Sequence, residues 1–476
     1  MTPRGERDRQ PVPATPAPGG EPPDAAFARW ARENAHAVER VAPGGADGDL
    51  EPLRAIIGLS PVVSFGEGLH GAAEPLEFRN RLFRYLVENM GFTALALESG
   101  ITEGFLVNRY VLGGPGDLGE IVARGFTAGF DRMPQNVELV RWMREYNADP
   151  AHCGKVEFYG MDVPGSPEEM QGTLFVALDY LGARDAALAG SLRARIEDLV
   201  PKLKLDRRSD APGQYTELDQ TERDRLTATV ADVVAAFAIH ENEYARATSG
   251  RDFALAYRAA VAARQVDDYL RQLPVGWKPA DGLGGLAGTV ASADRAKADN
   301  VDWIRRQLGP EGRLLLFAHR DHLAGSMSTI RIPPQIAAWT LPPMVGMYLR
   351  RRYGNDLVTI GHLFAREALR RGEPGTRASA GTIEARLAEL PPSDFVLDLR
   401  MAPPPVASWL ATPHELFGVV PYNTTIPGEA YDAVFFSRQV GPAIPWTDDQ
   451  DDLEREKERF LAGERDPAPP QGDRQG

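Results

Sequence analysis

The chain has 476 residues, 43% of them hydrophobic, enough for one large domain or two ordinary ones with a substantial core. Its 53 Lys and Arg stand against 67 Asp and Glu, a net charge of −14, which argues against a phosphate-backbone partner and so against nucleic acid. The single cysteine, Cys153, excludes an internal disulfide framework and a thiolate zinc cage, and with only His152 beside it is not read as a nucleophile.

Residues 1–24 are rich in Pro and charge, without the apolar run of a secretory signal, and are expected to form a disordered tail. Residues 25–165 read as the first part of an α/β core. Val62–Phe65 is a buried strand that opens into Gly66-Glu67-Gly68-Leu69-His70-Gly71. A helix follows, with Leu76, Leu82, Phe83, Leu86, Val87 and Met90 on one face and Gly91 placed to end it. Phe92–Leu97 is a second strand ending at Glu98, and Val156–Tyr159 a third leading to Asp162. Residues 166–310 carry almost no strand signal. Runs such as Thr221–Thr248 and Asp252–Leu273 predict helices, and the stretch is read as an insertion capping the sheet. Residues 311–446 return to strands at Arg313–Phe317, Leu357–Ile360 and Ala433–Ser437. The acidic residues 447–476 are expected to form a second disordered tail. The predicted fold class is α/β: a mostly parallel sheet with helices on both faces and a large helical cap. No run of 18 uncharged apolar residues occurs, so no membrane partner is expected and a cytoplasmic protein is the default.

Reactive side chains recur where predicted strands end: Glu67 and His70, Glu98, Asp162, then His319 and His322. Ligands of open parallel sheets bind beyond the carboxyl ends of the strands, so these loops converge on one crevice. A carboxylate can orient an imidazole and raise its basicity, and the imidazole can then deprotonate a water that attacks an ester carbonyl. Arg79, Arg320 or a second imidazole would stabilise the oxyanion. No G-x-S-x-G elbow is present, so activated water is favoured over a serine nucleophile. His362 also follows a strand but lacks a carboxylate motif and is read as structural.

Two other readings compete. Gly66 to Gly71 spells G-x-G-x-x-G after a strand, the grammar of a dinucleotide-dependent oxidoreductase. Against it, Glu67 would repel a pyrophosphate, and Glu98 lies 32 positions after Gly66 where about 20 is usual. Alternatively, Glu67-x-x-His70 and His319-x-x-His322 could share a divalent ion, although neither has the helical H-E-x-x-H spacing. No metal ligand is assigned and no cofactor is expected, with that ion as the alternative.

The same residues resemble the signature of the erythromycin esterase family, which includes macrolide esterase-like and succinoglycan biosynthesis protein-like hydrolases. The loop at Gly66–Gly71 is similar to its GE-x-THG loop and is followed by an arginine-bearing helix (Arg79) and a glutamate-ending strand (Glu98). Asn108-Arg109-Tyr110-Val111 is similar to an N-x-Y-V step, Tyr159–Asp162 to a YGFD turn, and Ala318–His322 to an A-H-N-x-H strand end. The likeness runs over roughly residues 50–440. It implies a hydrolase that opens macrolactone esters, with His70, Glu67, Glu98 and His319 catalytic and Arg79 and His322 contacting a small-molecule ester or lactone. Antibiotic resistance or secondary metabolism would be its setting. Leu69 stands where the pattern has Thr and Arg320 where it has Asn, while Asp294–Asn300 keeps the Asn of an M-A-x-N helix and lacks the Met. These departures leave room for a biosynthetic tailoring enzyme acting by hydrolysis, elimination or cyclisation, or for a macrolide-binding protein.

Overall fold

A computed structural model describes residues 21–163, 167–203, 215, 218–272, 287–331, 339–368, 376–418 and 422–443. The tails expected at 1–24 and 447–476 lie outside these residues, except for residues 21–24, of which Pro23 and Asp24 open a helix running Pro23–Asn34. Twelve strands occur among the described residues. They are β1 (His36–Ala37), β2 (Val62–Glu67), β3 (Ala94–Gly100), β4 (Glu157–Asp162), β5 (Leu314–His319), β6 (Thr329–Arg331), β7 (Trp339–Thr340), β8 (Leu357–Phe364), β9 (Asp394–Asp398), β10 (His414–Leu416), β11 (Tyr422–Thr425) and β12 (Ala433–Ser437).

Eight strands form one sheet in the order β1-β9-β12-β8-β2-β5-β3-β4. Every neighbouring pair from β12 to β4 is parallel, and β9 and β1 complete one edge antiparallel. Strands β2, β3, β5, β8 and β12 are buried at every position, which explains why they read as continuous apolar runs. One face of the sheet presents Val63, Phe65, Leu95, Leu97, Leu315 and Phe317 to Phe78, Leu82 and Leu86 of the helix Ala73–Met90. The other presents Val62, Ala94, Ala96, Leu314 and Leu316 to Ala298, Val301 and Ile304 of the helix Ala287–Leu308. Gly91, left-handed at φ +69°, ends Ala73–Met90 as its position predicts. A second sheet, β10-β11-β6-β7, is wholly antiparallel.

Between β4 and β5 the described residues hold helices and no strand. The helix Gly250–Arg271 packs against Pro167–Gly182 and Gln220–Ile239, and Leu178, Val233, Phe237, Ala259, Ala263 and Val266 belong to a core separate from the sheet's. The single helix expected over Thr221–Thr248 is two. Asp219 starts the first with a capping box to Glu222, and His240 ends it before Glu241–Ala247. The break turns Tyr244 into this helical core, with the His240 ring stacked on it.

Candidate active site

Glu67 ends β2 and pairs in register with His319 at the end of β5. The loop that follows is pressed between neighbouring backbones. A Cβ on Gly66 would come within 2.6 Å of Arg320 Cα, and one on Gly68 within 2.7 Å of the His362 carbonyl oxygen. Gly68 N–H donates to His362 Nδ1 at 3.2 Å. Close approach therefore accounts for the first two glycines of G-x-G-x-x-G, and Gly71, at φ +75°, supplies a left-handed turn.

His70 lies over Glu67, three residues before it, with Nδ1 donating to Glu67 Oε1 at 2.6 Å. The His70 side chain is 53% exposed while Glu67 is fully buried. Burial pushes the Glu67 carboxyl up from its usual range. For His70, burial acts against the charged ring, but the bond to Glu67 and its charge outweigh this and raise its pKa. With Nδ1 committed to Glu67, Nε2 is the nitrogen left to accept a proton.

Glu98, in β3, organises the neighbouring group. Its Oε2 accepts the His319 backbone N–H at 2.8 Å, and its Oε1 lies 3.1 Å from both Lys297 Nζ and His322 Nε2. Burial disfavours its charge, yet His322, Lys297 and His70 together hold it well below the usual carboxylate range. His322 Nδ1 donates to Asp294 Oδ1 at 2.8 Å, and Asp294 also accepts Val345 N–H at 2.9 Å. Burial opposes the His322 imidazolium, but Asp294 and Glu98 raise it to about 9. Lys297 Nζ reaches Asp162 Oδ1 at 3.3 Å, tying the end of β4 to the same cluster.

His319 is in the opposite state. Its Nδ1 accepts the Asp321 N–H at 3.3 Å, its Nε2 has no partner among the described residues, and burial lowers it to about 4. It is a neutral imidazole whose free donor is Nε2–H. Its ring centroid lies 4.8 Å from that of His70.

The two residues expected to contact substrate are placed differently. Arg79 has no exposed surface. Its Nε and Nη2 donate to Asn80 Oδ1, and its guanidinium lies 4.7 Å from the Phe317 ring centroid. Burial lowers it to about 9, and Glu67 is the first charge opposing that shift. His322 has both ring nitrogens taken by carboxylates. Arg320, whose sequence position promised a cation between the two histidines, turns away to the His362 and Phe417 carbonyls. Leu69 packs with Ala72, Phe364 and Val440.

Asp294 and Lys297 are the cluster's members that strand-end reasoning missed. Their only sequence signal is three-residue spacing on the face of an Ala-rich helix that also carries Val301 and Ile304. His70 Nδ1 and both His322 nitrogens are engaged, and among the described residues no three His, Cys, Asp or Glu side chains are grouped to hold a metal ion.

The fold matches a known class. The sequence model of the erythromycin esterase family matches residues 87–440, so the chain belongs to the erythromycin esterase family. The erythromycin esterase type II of Escherichia coli is 25% identical over 339 residues, which cover 70% of this chain and 76% of that protein. A Bacillus cereus protein solved by structural genomics superposes with a TM-score of 0.72 at 23% identity, covering 88% of this chain and 98% of that one. A succinoglycan biosynthesis protein gives 0.70 at 22%, covering 87% and 97%. A variant of the erythromycin esterase EreC in its open conformation gives 0.62 at 17%, covering 84% and 95%. Among the described residues, no helix is long and apolar enough to cross a membrane.

Proposed function

We propose that the crevice hydrolyses an ester or lactone of a small molecule, with His70 as the base that activates water. The observation that carries this reading is the pairing of two imidazoles in complementary states, His70 backed by a carboxylate and His319 neutral with a free N–H, 4.8 Å apart. A water bound at His70 Nε2 gives up a proton as its oxygen attacks the carbonyl carbon. The oxyanion takes a hydrogen bond from His319 Nε2–H, and Glu67 stabilises the His70 imidazolium. Collapse of the tetrahedral intermediate breaks the bond to the alkoxy oxygen, and His70 returns the proton to that leaving group. Arg79 acts from beneath, its charge facing Glu67. Glu98 positions His319 through its backbone, and His322 holds Glu98.

Family membership supports an ester-hydrolysing enzyme. The matched range begins after Glu67 and His70, so their roles rest on geometry. The relative named erythromycin esterase makes a macrolactone the first substrate to try. The departures at Leu69 and Arg320 point away from the paired imidazoles, which favours retained acid–base chemistry. A cytoplasmic enzyme of antibiotic resistance or secondary metabolism, needing no metal, completes the reading.

Incubation with an erythromycin-type macrolide, followed by mass spectrometry, tests it. The expected product gains one water, is absent with His70→Ala, and persists after chelator treatment. Loss with chelator alone would put a metal in the mechanism. Absence of product from the intact protein would exclude the macrolide and turn the search to other esters and biosynthetic lactones.

A further inference from the structure

The reaction just described uses His70 to carry the proton and His319 to bind the oxyanion, and leaves Lys297 without a part. Yet Lys297 is almost fully buried, on a helix face where Ala298, Val301 and Ile304 pack on the sheet. Placing an ammonium there costs desolvation that only close carboxylates offset. It has them: Glu98 at 3.1 Å and Asp162 at 3.3 Å, at the ends of adjacent parallel strands. The charged groups facing this point are Glu98 from β3, Asp162 from β4, Asp294 from the helix of Lys297 itself, His322 from the turn after β5, and the pair Glu67 and His70 beyond Glu98. Without Lys297, three carboxylates would share one buried imidazolium. Neighbouring carboxylates in such a site do not all stay ionised, and one takes up a proton. A protonated Glu98 would release either His322 or the His319 backbone, because each of its oxygens already accepts at least one of these bonds.

We propose that Lys297 is a positioning residue whose ammonium keeps Glu98 and Asp162 ionised together, so that Glu98 holds the His319 backbone and His322 in place for the reaction. This rests on the hydrolytic reading for its catalytic consequence, but the charge arrangement stands apart from it. Burial pushes Asp162 up, and Lys297 is the first charge that opposes this, as it is among those that hold Glu98 down.

Lys297→Met keeps the length of the side chain and removes its charge. Infrared difference spectra at neutral pH, taken without substrate, are expected to show one more protonated carboxyl in Lys297→Met than in the wild type. Adding Asp162→Asn should abolish that band. With an ester substrate, Lys297→Met should lower kcat about ten-fold with KM nearly unchanged. The acid limb of its kcat profile should move to higher pH, and the double variant should recover both. A Lys297→Met protein with no new carboxyl band and a wild-type pH profile would overturn the proposal. So would a folded double variant no better than the single. If Lys297→Met does not fold, the double variant should fold with a Tm near that of Asp162→Asn, and its failure to do so would also overturn it. An intact protein that hydrolyses no ester would remove the esterase reading, and the infrared comparison would still decide the role of Lys297.

Discussion

His70 and His319 are the same residue type a few ångströms apart, and their partners alone set them to different tasks. In the proposed reaction a carboxylate on Nδ1 suits His70 to be the base, whereas a backbone N–H on Nδ1 and deep burial suit His319 to be a neutral donor. His70→Ala should lower kcat about 10²–10⁴-fold, the usual worth of a positioned base. Glu67→Gln should cost less and lower the pKa of His70, measurable as a shift of the acid limb of kcat/KM toward lower pH. His319→Ala should cost about 10²-fold in kcat with KM little changed, the signature of a donor that acts on the oxyanion. A large rise in KM alone would make it a binding residue instead. Glu67, His70, Glu98, His319 and His322 were legible as a group because all lie at or just after strand ends, and the parallel order gathers those ends. Which partner each takes was not legible. The sequence left open which carboxylate orients His70, and the structure pairs it with Glu67, three residues before it. Lys297 and Asp294 stayed hidden because helix spacing marks a face without saying what that face meets.

The long buried strands were visible as apolar runs, since burial on both faces leaves no alternation to confuse with a surface strand. The short antiparallel strands β1 and β9 at one side of the large sheet and the whole small sheet were missed. They are two to five residues long, and β1 and β6 find their partners β9 and β11 far away in sequence. The break at His240 was missed because both helices share a helix-forming composition and neither Gly nor Pro marks the join. Close packing of elements also sets glycines whose roles no spacing reveals. At Gly160 a Cβ would fall 2.1 Å from the Gly100 carbonyl oxygen, where β4 meets the end of β3. Gly160→Ala should therefore lower stability by about 1–3 kcal/mol, read from urea unfolding. It should also lower kcat, since Glu98 and Asp162 flank that contact. An unchanged unfolding midpoint would show that the strands can part without cost.

For the molecule as a whole, the histidine it buries away from the crevice sets part of its tolerance of acid. His362 is fully buried, accepts the Gly68 N–H, and is lowered by burial, then by Arg320, to about 3. It is neutral in the fold and titrates near 6.5 when unfolded, so the unfolded chain binds one more proton between those values. Its contribution is present above about 6.5 and is lost as pH falls toward 3. The wild-type stability should fall with acid more steeply than that of His362→Gln, by about 1.4 kcal/mol per pH unit at the limit. Parallel curves from pH 6 to 4.5 would contradict this. The strand order carries a consequence for how the chain is made. β5 lies between β2 and β3, yet it is synthesised after them and after the entire helical stretch. As the nascent chain leaves the ribosome, β2 and β3 cannot close on each other without excluding the strand that belongs between them. Two apolar strand edges therefore wait on either side of a gap one strand wide, open to any other extended segment nearby. The chain is most exposed to misassembly during that interval, and a polypeptide stopped short of Leu314 would carry Glu67, Glu98 and Asp162 at its strand ends but neither His319 and His322 nor a closed sheet to hold them.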